Sequence, residues 1–107
     1  MPMIKIEFDD SKLGDDEVKR ISEATQKIVS ESTGIEDVFV YANSARVKVQ
    51  VAPIEVFVEM SDNKIDNLDE LTSKIKDGIS EWKKENNFSQ PVNLTVIPVR
   101  WKVEVNI

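Results

Sequence analysis

The chain has 107 residues, 40% of them hydrophobic and 32% charged, with few glycines and prolines, which is the composition of one folded domain. Its net charge of −6 and pI near 4.7 leave no clustered Lys and Arg for counterion release, so nucleic acid and anionic membrane surfaces are excluded as partners. Cysteine and histidine are both absent, which removes disulfides, thiolate metal sites, the usual neutral-pH base and the Ser-His and Cys-His pairs. No signal peptide and no bilayer-length apolar run is legible, and a cytoplasmic location is the default expectation.

At the start, Ile4, Ile6 and Phe8 alternate with Lys5 and Glu7, which predicts a half-buried strand. Asp9 to Gly14 reads as a turn. A helix is predicted over about 15–32, with Val18, Ile21, Thr25, Ile28 and Val29 at helical spacing, acidic residues in its first turn and Gly34 just past its end. Strands follow over about 36–42 and 45–51, joined across Asn43-Ser44. After Pro53 a fourth strand carries Ile54, Val56, Val58 and Met60. Asn67, with Glu70 three residues on, marks the start of a second helix whose Leu68, Leu71, Ile75, Ile79 and Trp82 share one face and which ends near Asn86-Asn87. Two last strands are predicted over about 92–97 and 99–105, separated by Pro98.

The order is β-α-β-β twice, and the segments repeat. Laid without a gap upon 91–105, residues 37–51 set Arg46 on Arg100, Lys48 on Lys102, Val49 on Val103 and Val51 on Val105. The expected architecture is a single α+β domain over 1–107, made of pseudo-repeats 1–52 and 53–107, with a mixed sheet and both helices on one face. Strands 38–42 and 92–97 are apolar on nearly every residue, as in strands buried on both sides. Two helices cover one side, so a second subunit is expected on the other.

Pro2 is the most informative single residue. Removal of Met1 before a small residue leaves a secondary amine at the tip of the first strand. An α-amino group has a reference pKa near ~8, which apolar surroundings lower toward ~7. Such a group can move protons near neutrality without any histidine. If Met1 stays, the nitrogen is an amide and has no basic lone pair.

The opening Met1-Pro2-Met3-Ile4-Lys5-Ile6-Glu7-Phe8, the Ser32-Thr33-Gly34 run and the segment from Pro53 to Ile65 resemble the tautomerase superfamily. Within it they are similar to macrophage migration inhibitory factor and to the 5-carboxymethyl-2-hydroxymuconate and 4-oxalocrotonate isomerases. The resemblance implies a cofactor-independent keto–enol tautomerase of small anionic keto acids, assembled as a homotrimer. It also implies Pro2 as the catalytic base. Lys12 falls where the oxalocrotonate enzyme has a loop arginine, and Arg46 where the carboxymethyl-hydroxymuconate isomerases have one, so both are candidates to bind the substrate carboxylate. Phe39 takes the place of a second arginine on the substrate side. Other positions depart from the pattern: Ile35 replaces a lysine, and Asn93 and Thr95 replace a pocket tyrosine and asparagine.

The remaining constellations carry less. Asp9, Asp10, Asp15 and Asp16 lack the spacing and glycine of a calcium loop and read as a turn and a helix start. The pairs Glu55 with Glu59 and Asp62 with Asp66 have no ligand spacing, so no metal is expected. Trp82 reads as core, Trp101 as core or subunit interface, and Lys83-Lys84 as a complement to the helix dipole. No phosphate-binding glycine loop is present. The alternatives are a non-catalytic oligomeric or binding domain on the same scaffold, and a monomeric ferredoxin-like interaction module.

Overall fold

The computed structural model describes all 107 residues. Its elements are β1 (Met3–Phe8), α1 (Asp15–Thr33), β2 (Phe39–Asn43), β3 (Ile54–Ser61), α2 (Leu68–Glu85) and β4 (Asn93–Val99), with a short 3-10 turn at Asp62–Lys64. The sheet order is β2-β1-β3-β4. β1 runs parallel to β2, β3 runs parallel to β4, and β1 and β3 meet antiparallel in the middle. Each half is therefore a β-α-β unit, and the two are joined along their first strands. No helix is long and apolar enough to cross a membrane.

Alternation along the strands decides which side chains meet the helices. Ile4, Ile6, Ile54, Val56 and Val58 are fully buried on the helix face. They join Val18, Ile21 and Val29 of α1 and Ile75 and Ile79 of α2 in one core. Trp82 packs on the edge of this core, with its ring centroid 5.2 Å from that of Phe88 and the Arg20 guanidinium 5.9 Å away. Both helices begin and end where the sequence predicts. Asn67 Oδ1 accepts the Glu70 N–H at 3.0 Å, and Gly34 ends α1 in the left-handed region (φ 73°) while its N–H donates to Ser30 O.

Two predicted strands are not formed. Residues 45–51 and 99–105 have the alternation of strands, yet neither finds a neighbour within the chain, because the edges of the sheet are β2 and β4. A ladder needs a partner to satisfy its N–H and C=O groups. The valines of these two arms stay in the open, Val47 at 79% and Val49 at 100% exposure. Pro98 does not separate two strands either; it lies inside β4 opposite Met60. An edge strand tolerates it, since one side of its ladder is unpartnered. Trp101 is half-buried just past β4, its Nε1–H donating to Ser61 Oγ at 2.8 Å.

The opposite face of the sheet is uncovered by this chain. Phe39 and Tyr41 on β2 are 45% and 52% exposed, so burial of that strand on both sides is not achieved within one protomer. The face is amphipathic. Lys5 pairs with Glu59 at 2.9 Å, and Asn93 donates to Glu55 at 2.9 Å.

The helices cross closely at Gly78, where an added Cβ would sit 2.7 Å from Ile28 Cγ2. Ile28 is β-branched and cannot swing aside without leaving its preferred rotamer. Gly78→Ala gains helix propensity worth about 1 kcal/mol, but overpacking here costs about 1–3 kcal/mol. The variant should be destabilised by up to about 2 kcal/mol in urea unfolding, and Ile28→Ala in the same chain should remove the steric part of that loss.

Candidate functional site

Pro2 precedes β1 and its side chain is fully buried. Its carbonyl accepts the Phe39 N–H at 3.3 Å, which continues the β1–β2 pairing outward by one step. Met3 lies opposite both Phe39 and Glu59, so the same register brings Pro2 beside Val38 and Met60, both 2% exposed. Pro2 and Phe39 thus share one end of the sheet. Ile35 is at that end too, in the turn leading into β2, where its N–H donates to Thr33 Oγ1 and its carbonyl accepts from Ser30 Oγ.

Lys12 and Arg46 are at the other end. Lys12 lies in the turn after β1, and Arg46 follows β2, which runs parallel to β1. With six residues in β1, the two ends are about 20 Å apart at about 3.3 Å per residue. Within one protomer neither cation reaches Pro2. Both are exposed. Asn93 and Thr95 are exposed on edge strand β4, away from Pro2's neighbours.

No family model matches the chain, and no curated protein matches it by sequence. Solved structures do match. A malonate semialdehyde decarboxylase superposes with a TM-score of 0.69 at 9% identity, over 95% of this chain and 90% of that one. A macrophage migration inhibitory factor-like protein from Entamoeba histolytica gives 0.61 at 14% identity, over 96% and 93%. A fused 4-OT asymmetric trimer gives 0.64 at 6% identity, over 91% and 85%. The fold is that of the tautomerase superfamily. At these identities what is shared is the architecture alone.

The most strongly coupled charges of the chain lie between the turn after β1 and the arm that follows β2. Lys48 bonds to Asp10 and lies 3.7 Å from Asp9. Ser44 Oγ also donates to Asp10, at 3.3 Å. Asp9 is itself the hub of the turn: its Oδ1 accepts from Ser11 N–H at 3.0 Å and Ser11 Oγ at 2.7 Å, and its N–H donates to Pro53 O. The arm 44–52 is thereby clasped to the turn after β1. No local signal in the sequence could reveal this, because the partners stand 38 positions apart and meet only through the parallel pairing of β1 and β2.

The clasp has a definite pH signature. The hydroxyl and then the N–H of Ser11, with Lys48 further off, hold the Asp9 carboxyl below its ordinary value of 3.8. Lys48 chiefly, then Ser44, does the same to Asp10. The hydrogen bond to Asp10 raises Lys48 above its ordinary 10.5. Depressed carboxyls contribute stability that is present above the ordinary carboxylate range and lost as pH falls through their folded values. A raised lysine contributes stability that is present below the ordinary lysine range and lost as pH climbs through its folded value. Lys48→Met should therefore be less stable than the parent at pH 7, and the gap should close toward pH 2 and above pH 11. Chemical denaturation across pH checks this, and the gap at pH 7 should shrink in 1 M salt, since these groups are partly exposed.

Proposed function

We propose that this chain is a cofactor-independent keto–enol tautomerase of small anionic keto acids, with the Pro2 nitrogen as its base once Met1 is removed. One observation carries the reading. Pro2 stands immediately before central strand β1, tied to Phe39 through its carbonyl and buried beside Val38 and Met60, in a chain with no histidine or cysteine. Apolar surroundings of this kind disfavour the ammonium form of a free proline amine.

The neutral amine takes a proton from the carbon α to the substrate carbonyl; the C–H bond breaks, an N–H bond forms, and the electron pair moves onto the carbonyl oxygen as an enolate. The proton then returns to the enolate oxygen, or to the terminal carbon of a conjugated dienolate, which restores the amine. A cation must hold the anionic end of the substrate while this happens. Lys12 and Arg46 can take that part only if they come from another copy. The uncovered sheet face and the two unpartnered arms support a homotrimer, and a trimer is the assembly named for the 4-OT neighbour. The separation of Lys12 and Arg46 from Pro2 within one protomer favours the second reading, a non-catalytic oligomeric or binding domain.

Intact mass of protein purified under native conditions should lack Met1. That material should tautomerise phenylpyruvate or 2-hydroxymuconate, with kcat/KM rising with pH as the amine loses its proton. Pro2→Ala, which still permits Met1 removal, should lower kcat by about 10²–10⁴-fold. Equal rates for the two proteins, or a mass that includes Met1, would reject the catalytic reading.

A further inference from the structure

The helix layer carries a groove of about 480 Å³ between α1 and α2, on the side turned away from the sheet; no strand residue lines it. The helices run antiparallel there, since Arg20 lies over Trp82 while Ile28 meets Gly78. From Arg20 to Glu31 the groove follows α1 for about three turns, or about 17 Å at about 1.5 Å per residue. Its floor is apolar. Ala24 and Gly78 put no bulk across it, and half-buried Ile28 and Trp82 show it part of their surface.

The rims are acidic. Glu23 and Glu31 stand on the α1 side and Glu81 and Glu85 on the α2 side, against Arg20 and Lys27. Arg20 is already engaged, donating to Asn86 O at 3.3 Å with its guanidinium 5.9 Å from the Trp82 ring. Glu23 is 4.0 Å from Lys19, but Glu31, Glu81 and Glu85 are exposed and belong to no ion pair. Lys27 sits between the two glutamates of the α1 rim. Beyond Glu31 a smaller hollow of about 280 Å³ adds Lys74. The unbalanced negative charge therefore lies at the Glu81 and Glu85 end.

We infer that this groove is a docking surface for a basic amphipathic helix of a partner protein. The partner lays an apolar stripe on Ile28 and Trp82 and sets Lys or Arg beside Glu81 and Glu85. Its form follows from hydrogen bonding. The two helices of the wall spend their backbone N–H and C=O groups internally and offer no ladder, so an incoming segment must satisfy its own, as a helix does. Its apolar spacing of i, i+3, i+4 and i+7 is that of one helix face, and its charge complements the free glutamates. The inference goes beyond the Pro2 reading and does not rest on it, because the groove and the open sheet face lie on opposite sides of the domain.

The test uses the full chain and a synthetic peptide of Leu, Ala and Lys, about 18 residues long so that it holds a helix, with its leucines on one face. Titration should shift the Trp82 indole N–H resonance and the backbone amides of Ala24, Ile28 and Gly78, and the affinity should fall as salt is raised. Glu81→Gln with Glu85→Gln, at two exposed positions, should keep the fold and weaken binding by about threefold to tenfold. A scrambled peptide of the same composition, and the helical peptide with Glu in place of Lys, should leave these resonances unmoved. No shift with the first peptide would overturn the inference, as would an affinity indifferent to the glutamate substitutions. Equal shifts with the scrambled peptide would reduce the groove to diffuse charge attraction and overturn it too. So would movement of the same resonances on concentrating the protein alone, which would make the occupant a second copy of the chain.

Discussion

Everything in this molecule depends on the antiparallel pairing of β1 with β3. Either β-α-β unit alone has a two-stranded parallel sheet with one helix, too little surface to bury a core. Joining the first strands puts Ile4 and Ile6 against Val56 and Val58 in the middle of a four-stranded sheet, with no exposure left on any of the four. Burying one such side chain is worth about 1.5–3 kcal/mol, and this quartet is the floor on which both helices lie. The same pairing fixes where Pro2 goes. Ladder bonds on both sides of β1 determine the height of every residue in it, so the residue before Met3 has no freedom to choose its neighbours.

Much of the fold was legible in the sequence, because its signals are local. The period of Val18, Ile21, Thr25 and Val29, the Asn67 cap and the glycine after α1 are read within a few residues of one another, and both helices came out at the predicted bounds. The alternation of Ile4, Ile6 and Phe8 likewise gave a strand. Residues 45–51 and 99–105 show what alternation cannot decide. Their valines have the period of a strand, but a strand is defined by its partner, and none exists within the chain. Pro98 misled for a related reason: it breaks a central ladder but not the free side of an edge strand.

The site was less legible than the scaffold. Pro2 and Phe39 share one end of the sheet through parallel pairing that sequence patterns alone do not reveal. Lys12 and Arg46 were chosen by motif position, and the topology sends them to the far end of β1. Lys48 and the two aspartates after β1 looked like an ordinary strand residue and an ordinary turn. Only the parallel placement of β2, whose exit lies beside the exit of β1, makes them a clasp.

The central pairing also bears on the order of events as the chain is made. Met3 waits for Glu59, 56 positions downstream, before it has an antiparallel neighbour. At about 5–20 residues per second, ribosomal synthesis leaves several seconds in which the amino terminus lacks that neighbour. Contacts this distant along the chain also form slowly. In the finished fold Pro2 is enclosed and its carbonyl is engaged. The antiparallel ladder beside it therefore closes only after more than half of the chain has been made.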